Sequence, residues 1–303
     1  VLLVIGGEYL VRASVGLSLK LNLPKMVIGL TVVSFATSFP ELLVSLNAAL
    51  QGAPAIAINN VIGSNIANIG LVLGITAICT TIEVDPSFYK FNWPALLIFS
   101  LLVYTFMQSD QQLTSFEGAI LFIALMVFIV LLIKKSSRTN LETDPEMDTL
   151  SEVSYFKIII WLAVGGLALY YGADCLVDGA IVVAEQMGVS EAVISVSLVA
   201  LGTSIPELSA SIIAVIKKEK ALSLGNLIGS NIFNIGSVLG LTAMVDSIPI
   251  EDAQILSRDV LWMLVFAAVI LPLILLTKRH KLQFKEGFFL VLLYAVFMLL
   301  VFK

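Results

Sequence analysis

Thr37-Ser38-Phe39-Pro40-Glu41 returns later in the chain as Thr203-Ser204-Ile205-Pro206-Glu207. Ile62-Gly63-Ser64-Asn65-Ile66-Ala67-Asn68-Ile69-Gly70 returns as Ile228-Gly229-Ser230-Asn231-Ile232-Phe233-Asn234-Ile235-Gly236. Both pairs are separated by 166 residues, and at that offset Val27–Ala77 aligns with Val193–Ala243 without a gap, 25 of 51 positions being identical. Shared apolarity produces coincidences of Leu with Val. It does not produce matched Pro, Glu, Asn and Gly at a single offset, so the chain carries two copies of one unit.

The surroundings of these motifs are apolar. Of 303 residues, 59% are hydrophobic and 13% charged, with mean hydropathy +1.02; a soluble domain is about half apolar and about a quarter charged. A single soluble globule is excluded. Taking about 20 mostly apolar residues per crossing, the spans fall at 1–21, 25–50, 54–80, 93–109, 115–134, 156–186, 191–216, 221–246, 257–277 and 284–302. The breaks are Asn22-Leu23-Pro24, Gly52-Ala53-Pro54, Asp85-Pro86 and the charged stretch from Lys134 to Glu152. The chain is therefore expected to be an all-α membrane protein of ten transmembrane helices: a five-helix repeat over 1–135, a linker over 136–154 and a second repeat over 155–303. Five is odd, so the second copy starts from the opposite side and the repeats are inverted, as in many secondary transporters whose sites lie at the repeat interface. Val1 reads as a clipped first helix rather than the start of a signal peptide, since no basic start or small-residue cleavage site is visible.

Charge narrows the function. The net charge is −5, from 17 Lys+Arg against 22 Asp+Glu, and no basic face suited to nucleic acid is visible. Cys79 and Cys175 have neither metal-type spacing nor a disulfide framework. The single histidine, His280, lies in Lys278-Arg279-His280-Lys281, which argues against a Ser-His triad or a histidine-held zinc within the bilayer. Fourteen of the 17 basic residues fall in or beside loops on the side of the central linker. By the positive-inside rule that linker is cytoplasmic and both termini are outside, in a multi-pass protein of the cell membrane.

Glu41 and Glu207 fall mid-span, where a carboxylate costs about 2.5–3.5 kcal/mol on insertion scales and points to function. In a helix, Pro40 deprives the Ala36 carbonyl of its donor, and Pro206 does the same to Gly202, so freed carbonyls can turn into a site. Thr37 and Glu41 are four apart and share a face; Ser34 extends that face by a turn, with Ala200 in its place in the second copy. Ser64 and Asn68, and Ser230 and Asn234, also share faces at that spacing. Asn68 and Asn234 are assigned to the site, Asn65 and Asn231 to contacts between helices. Two carboxylates with six or more hydroxyl, amide and carbonyl oxygens suit calcium, which takes 6–8 oxygens. The lack of soft or imidazole ligands argues against zinc, copper or iron. One Ca²⁺ neutralises both carboxylates, whereas the unloaded core carries about −2 and resists occlusion in a low dielectric; that penalty enforces exchange.

With Thr-Ser-x-Pro-Glu and Gly-Ser-Asn-x-x-Asn each present twice, the chain resembles the sodium/calcium exchanger branch of the cation/calcium exchanger superfamily, over nearly its whole length. The proton/calcium branch is usually built around Gly-Asn-x-x-Glu instead. The resemblance implies that Glu41 and Glu207, with the Thr37 and Thr203 carbonyls, hold calcium. Sodium is implied at Glu41 with Thr37, Ser38, Ser64 and the Ser34 carbonyl, and at Glu207 with Thr203, Ser204, Ser230 and the Ala200 carbonyl. Asn68 and Asn234 complete the central site. It further implies three sodium ions exchanged for one calcium, and a first and sixth helix that slide together across the other eight. Ala36 stands where the family usually has Gly, and Asn234 where potassium-dependent members often have Asp, which argues against potassium co-transport. The shift pairs Glu8 with Asp174 and Arg12 with Asp178, leaving Arg12 either paired to an acid or snorkelling.

The expected function is thus secondary antiport of Na⁺ against Ca²⁺ by alternating access. Ca²⁺ and Na⁺ are cargo, the bilayer is the surrounding partner, and neither a cofactor, an enzymatic activity nor an obligatory protein partner is expected. Proton/calcium exchange on the same fold is the alternative, with H⁺ as the counter-ion. An intramembrane hydrolase using paired carboxylates is a remote one, because Tyr171-Gly172-Ala173-Asp174 has no mate; a passive channel is another, distinguished by whether flux needs a counter-ion.

Overall fold

Helix α1 (Leu2–Leu21) closes on Asn22, whose left-handed backbone (φ 51°) sends its N–H back to the Leu19 and Ser18 carbonyls. Ser18 Oγ donates to the Leu23 carbonyl at 2.6 Å, and Pro24 begins the next element, α2 (Lys25–Leu50). Gly52 turns the chain with φ 77°, a backbone that side chains rarely adopt, and α3 (Ala55–Cys79) follows Pro54. The first half ends with α4 (Phe88–Asp110) and α5 (Ser115–Lys135). The start of α5 carries a capping box between Thr114 and Glu117, which satisfies two of the exposed amides at that end. The second half contains α6 (Tyr155–Gln186), α7 (Ile205–Ile216), α8 (Lys220–Val245), α9 (Ile255–Leu276) and α10 (Phe284–Val301). The computed structural model describes residues 1–84, 88–136, 150, 152–186, 202–250, 252–277 and 280–301.

Among the described residues nine helices are long and apolar enough to cross a membrane, and α7 is a shorter apolar helix of 12 residues. The expected seventh span, 191–216, is thus described only in its later part. Two starts differ from the sequence reading: α4 begins at Phe88 rather than 93 and α9 at Ile255 rather than 257, each through a π-helical turn (Phe88–Asn92, Ile255–Asp259). Polar side chains there weaken the apolar signal while the backbone already coils. Outward faces carry large apolar side chains, such as Ile123 and Val127 on α5 and Leu292 and Leu299 on α10, as a lipid-facing surface requires.

Four two-residue strands show which loops share a side. Strand β1 (Ile82–Glu83), after α3, pairs antiparallel with β4 (Lys281–Leu282), after α9; β2 (Gln112–Leu113), after α4, pairs with β3 (Ile248–Pro249), after α8. The Lys281 ammonium bonds Glu83 across the first pair and holds that carboxyl below the usual carboxylate range. The loops after α3 and α9 therefore meet, as do those after α4 and α8, which is the parity of single crossings. The 166-residue shift carries β1 onto β3, so one pairing is the pseudo-symmetric image of the other.

Small residues set the closest helix contacts. A Cβ on Gly229 of α8 would stand 2.7 Å from the Leu30 Cα of α2, and one on Gly287 of α10 would stand 2.5 Å from the Gly74 carbonyl of α3. Backbones approach this closely in membranes because van der Waals contact, rather than water exclusion, joins the helices. Helices α1 and α6 meet along Gly6, Gly165 and Gly172. Their buried residues Leu10, Val11, Val15 and Leu169 form a small cluster with parts of α2, α7 and α8. The large core, from Ile58 and Ile66 through Leu227 to Phe266 and Leu290, is made without α1 or α6.

Candidate ion-binding site

Helices α2, α3, α7 and α8 bring the repeated motifs together. Glu41 on α2 and Glu207 on α7 are both 0% exposed. Their settings differ. Pro40 sits inside a continuous α2, whereas Pro206 lies in the first turn of α7, after Ser204 at φ −90°, ψ 0°. The expectation that Pro206 acts from within a helix to free the Gly202 carbonyl is corrected: after the turn at Thr203 and Ser204 the proline stands in the first turn of α7, where its missing N–H breaks no bond of that helix. Glu207 consequently stands in a helix's first turn, where the backbone dipole favours a carboxylate. The Ala36 carbonyl, freed by Pro40, lies 4.0 Å from the place of a Cβ on Gly166 of α6.

Threonine and serine pair across the repeats. Thr37 Oγ1 lies 3.2 Å from Ser230 Oγ, and the shifted counterparts Ser64 and Thr203 lie 3.1 Å apart. Ser34 departs from the shared-face expectation: its hydroxyl, with one proton to give, lies 2.7 Å from the Gly29 carbonyl and 2.9 Å from the Asn226 carbonyl. Tight contact between α2 and α8 turns it toward backbone, leaving only its carbonyl as a candidate ligand. Ala200 lies outside the described residues.

The asparagines close the arrangement. Asn68 Nδ2 donates to Asn231 Oδ1, and Asn234 Nδ2 to Asn65 Oδ1, each at 3.1 Å. This commits the nitrogens and leaves Asn68 Oδ1 and Asn234 Oδ1 without a donor. Both residues open a π-helical segment, Asn68–Leu73 and Asn234–Leu239, a widened turn frequent at functional sites.

Twelve buried side-chain oxygens lack a hydrogen-bond partner among the described residues. Eight of them belong to Glu41, Glu207, Ser38, Ser204, Asn68 and Asn234. Burying such oxygens unmet is costly, most of all for charged carboxylates, so their concentration in the repeated motifs marks a set suited to an oxygen-seeking cation. It contains no nitrogen or sulfur ligand.

Two further residues carry this geometry and were missed by the motif reading. Asn226 accepts from Thr37 Oγ1 at 3.1 Å and donates to Ser211 Oγ at 3.2 Å. Their signal lay in the repeat itself, because Asn60 and Ser45 are the identical residues one shift earlier and are likewise bonded, at 3.3 Å. Arg12, in contrast, takes Glu8 on its own helix at 2.6 Å, and Glu8 also accepts from Lys217 at 3.1 Å. Asp174 and Asp178 are exposed.

A family model described as sodium/calcium exchanger protein matches residues 1–134 and 157–303. The chain belongs to the sodium/calcium exchanger family. Similar proteins include CaxA of Alkalimonas amylolytica, 35% identical over 308 residues, covering 100% of this exchanger and 96% of its relative. The sodium/calcium exchanger MaX1 of Methanosarcina acetivorans is 28% identical over 341 residues, covering 100% and 96%. Among solved structures, the sodium-calcium exchanger NCX_Mj superposes with a TM-score of 0.80 at 31% identity, covering 98% of this chain and 94% of the other. The exchanger's fold, two inverted repeats of helices, is consistent with that match, and its relatives are transporters rather than enzymes.

Proposed function

We propose that this member of the cation/calcium antiporters moves Ca²⁺ out of the cell against inward Na⁺, by alternating access around the Glu41–Glu207 cluster. The observation that carries the reading is the set of eight buried oxygens with no protein donor, two carboxylates among them. Calcium takes 6–8 oxygens, and one Ca²⁺ balances both charges. Sodium is also an oxygen-seeking ion, and two sodium ions balance the same charge. The ligands would be Glu41 and Glu207 with Ser38, Ser204, Asn68 and Asn234, joined by Thr37, Thr203, Ser64, Ser230 and the Ser34 and Ala200 carbonyls. No cofactor takes part.

Movement would come from α1 and α6. They pack on each other and belong to the smaller cluster, apart from the large core, so they can slide without disrupting it. The cytoplasmic side is assigned to the central linker by the lysines and arginines gathered there, with both termini outside in the cell membrane.

The test uses the purified protein in sealed vesicles. Calcium uptake should follow an imposed sodium gradient and be absent with equal sodium on both sides. Uptake driven by a pH gradient alone would replace sodium with protons as the counter-ion. Flux without any counter-ion would remove exchange altogether.

A further inference from the structure

We propose that Asn226 is a positioning residue for the ion site: it takes the Thr37 hydroxyl proton and thereby turns the site's hydroxyls so that their lone pairs, rather than their protons, face the cation. The proposal rests on the cluster around Glu41 and Glu207 being the ion site.

Thr37 Oγ1 has two acceptors in reach, Asn226 Oδ1 at 3.1 Å and the Ser34 carbonyl at 3.4 Å, and the shorter contact sets the direction. Asn226 is 1% exposed, and its Nδ2 donates to Ser211 Oγ at 3.2 Å. That contact turns Oδ1 toward Thr37, 3.1 Å from its Oγ1. An amide oxygen only accepts, so Thr37 is the donor and its single proton is committed. Ser230 Oγ, 3.2 Å from Thr37 Oγ1, then has to supply the proton of that contact. Thr37 keeps one lone pair and Ser230 two, with neither proton remaining for Glu207. This agrees with the geometry at Glu207, neither of whose carboxylate oxygens lies within hydrogen-bonding geometry of a donor.

The same backbone holds the device in register. The Asn226 carbonyl lies 2.9 Å from Ser34 Oγ, and Gly225 and Gly229 on either side let α8 press against α2. The amide–serine half of the arrangement recurs in the first copy, where Asn60 Nδ2 donates to Ser45 Oγ at 3.3 Å. One turn after Asn60, Ser64 contacts Thr203 at 3.1 Å.

Asn226→Leu removes the acceptor, Asn226→Asp keeps one, and Ser211→Ala releases the amide so that its NH₂ can turn toward Thr37. Each would be studied in vesicles for half-saturating sodium and calcium and for maximal rate, and in detergent for equilibrium calcium binding. In Asn226→Leu, protons return to Glu207 and compete with the cation. Half-saturating concentrations of both ions should rise about three- to tenfold, with maximal rate within about twofold of the parent. Ser211→Ala should shift them the same way, and Asn226→Asp should restore half-saturation to the parent value or below. If Asn226→Leu does not fold, Ser211→Ala and Asn226→Asp decide. A loss of maximal rate at unchanged half-saturation, or an Asp variant that behaves like Leu, overturns the proposal. If the parent protein lacks sodium-driven flux, the sodium reading fails, while equilibrium calcium binding still tests Asn226.

Discussion

Asn65 and Asn231 each donate a side-chain amide to the other's backbone carbonyl, at 3.2 and 3.0 Å. The two residues are one shift apart, so the pseudo-two-fold axis runs between them where α3 crosses α8. Their Oδ1 atoms accept from Asn234 and Asn68. Four amides thus form one buried network that uses every nitrogen and leaves two oxygens for the ion cluster. Contact between helices and orientation of ligands are here the same bonds.

Removing either half of that crossing should be costly. Asn65→Ala and Asn231→Ala each delete a donor and an acceptor and strand the partner amide, at about 1–3 kcal/mol per buried group. Both should lower the thermal midpoint of the detergent-solubilised protein, by similar amounts because the contacts are symmetric. A variant as stable as the parent would show that these bonds contribute nothing.

Glu41→Gln and Glu207→Gln should each abolish calcium exchange while leaving a folded, monodisperse protein. Gln keeps the shape but removes one of the two charges that balance Ca²⁺. Calcium uptake into vesicles is the measurement, and substantial flux in either variant would falsify the assigned site.

Asn234→Asp adds a third carboxylate. With Glu41 and Glu207 alone, three sodium ions leave the core about one charge positive, to be offset by oxygen dipoles. The added acid should lower half-saturating sodium and allow potassium to act as a co-ion. At low pH the new group binds a proton and the effect fades, so assays belong at about pH 8 or above. The parent should be indifferent to potassium; a parent that requires it would contradict the role given to a neutral Asn234.

Orientation is open to a labelling test. In a background lacking Cys79 and Cys175, Ser137→Cys should be shielded from membrane-impermeant thiol reagents added to intact cells. Reaction from outside would invert the topology.

The sequence by itself determined the membrane class, the two inverted copies and the identity of the buried carboxylates. These follow from counting: apolar length sets crossings, a five-helix unit inverts its successor, and a repeated mid-span Glu has no solvent to justify it. Tertiary structure alone decided how matched residues are used. Pro40 interrupts bonding within a helix while Pro206 begins one. Asn226 and Gly229 are buried where their counterparts Asn60 and Gly63 are only half-buried. The Ser34 hydroxyl turns to backbone, and Asn226 joins Thr37 through a contact 189 positions apart in the chain. Identical side chains on two inverted copies meet different neighbours, because the direction of each hydroxyl and amide depends on which helix packs against it. That choice is made by close packing between distant segments, which spacing along the chain does not encode.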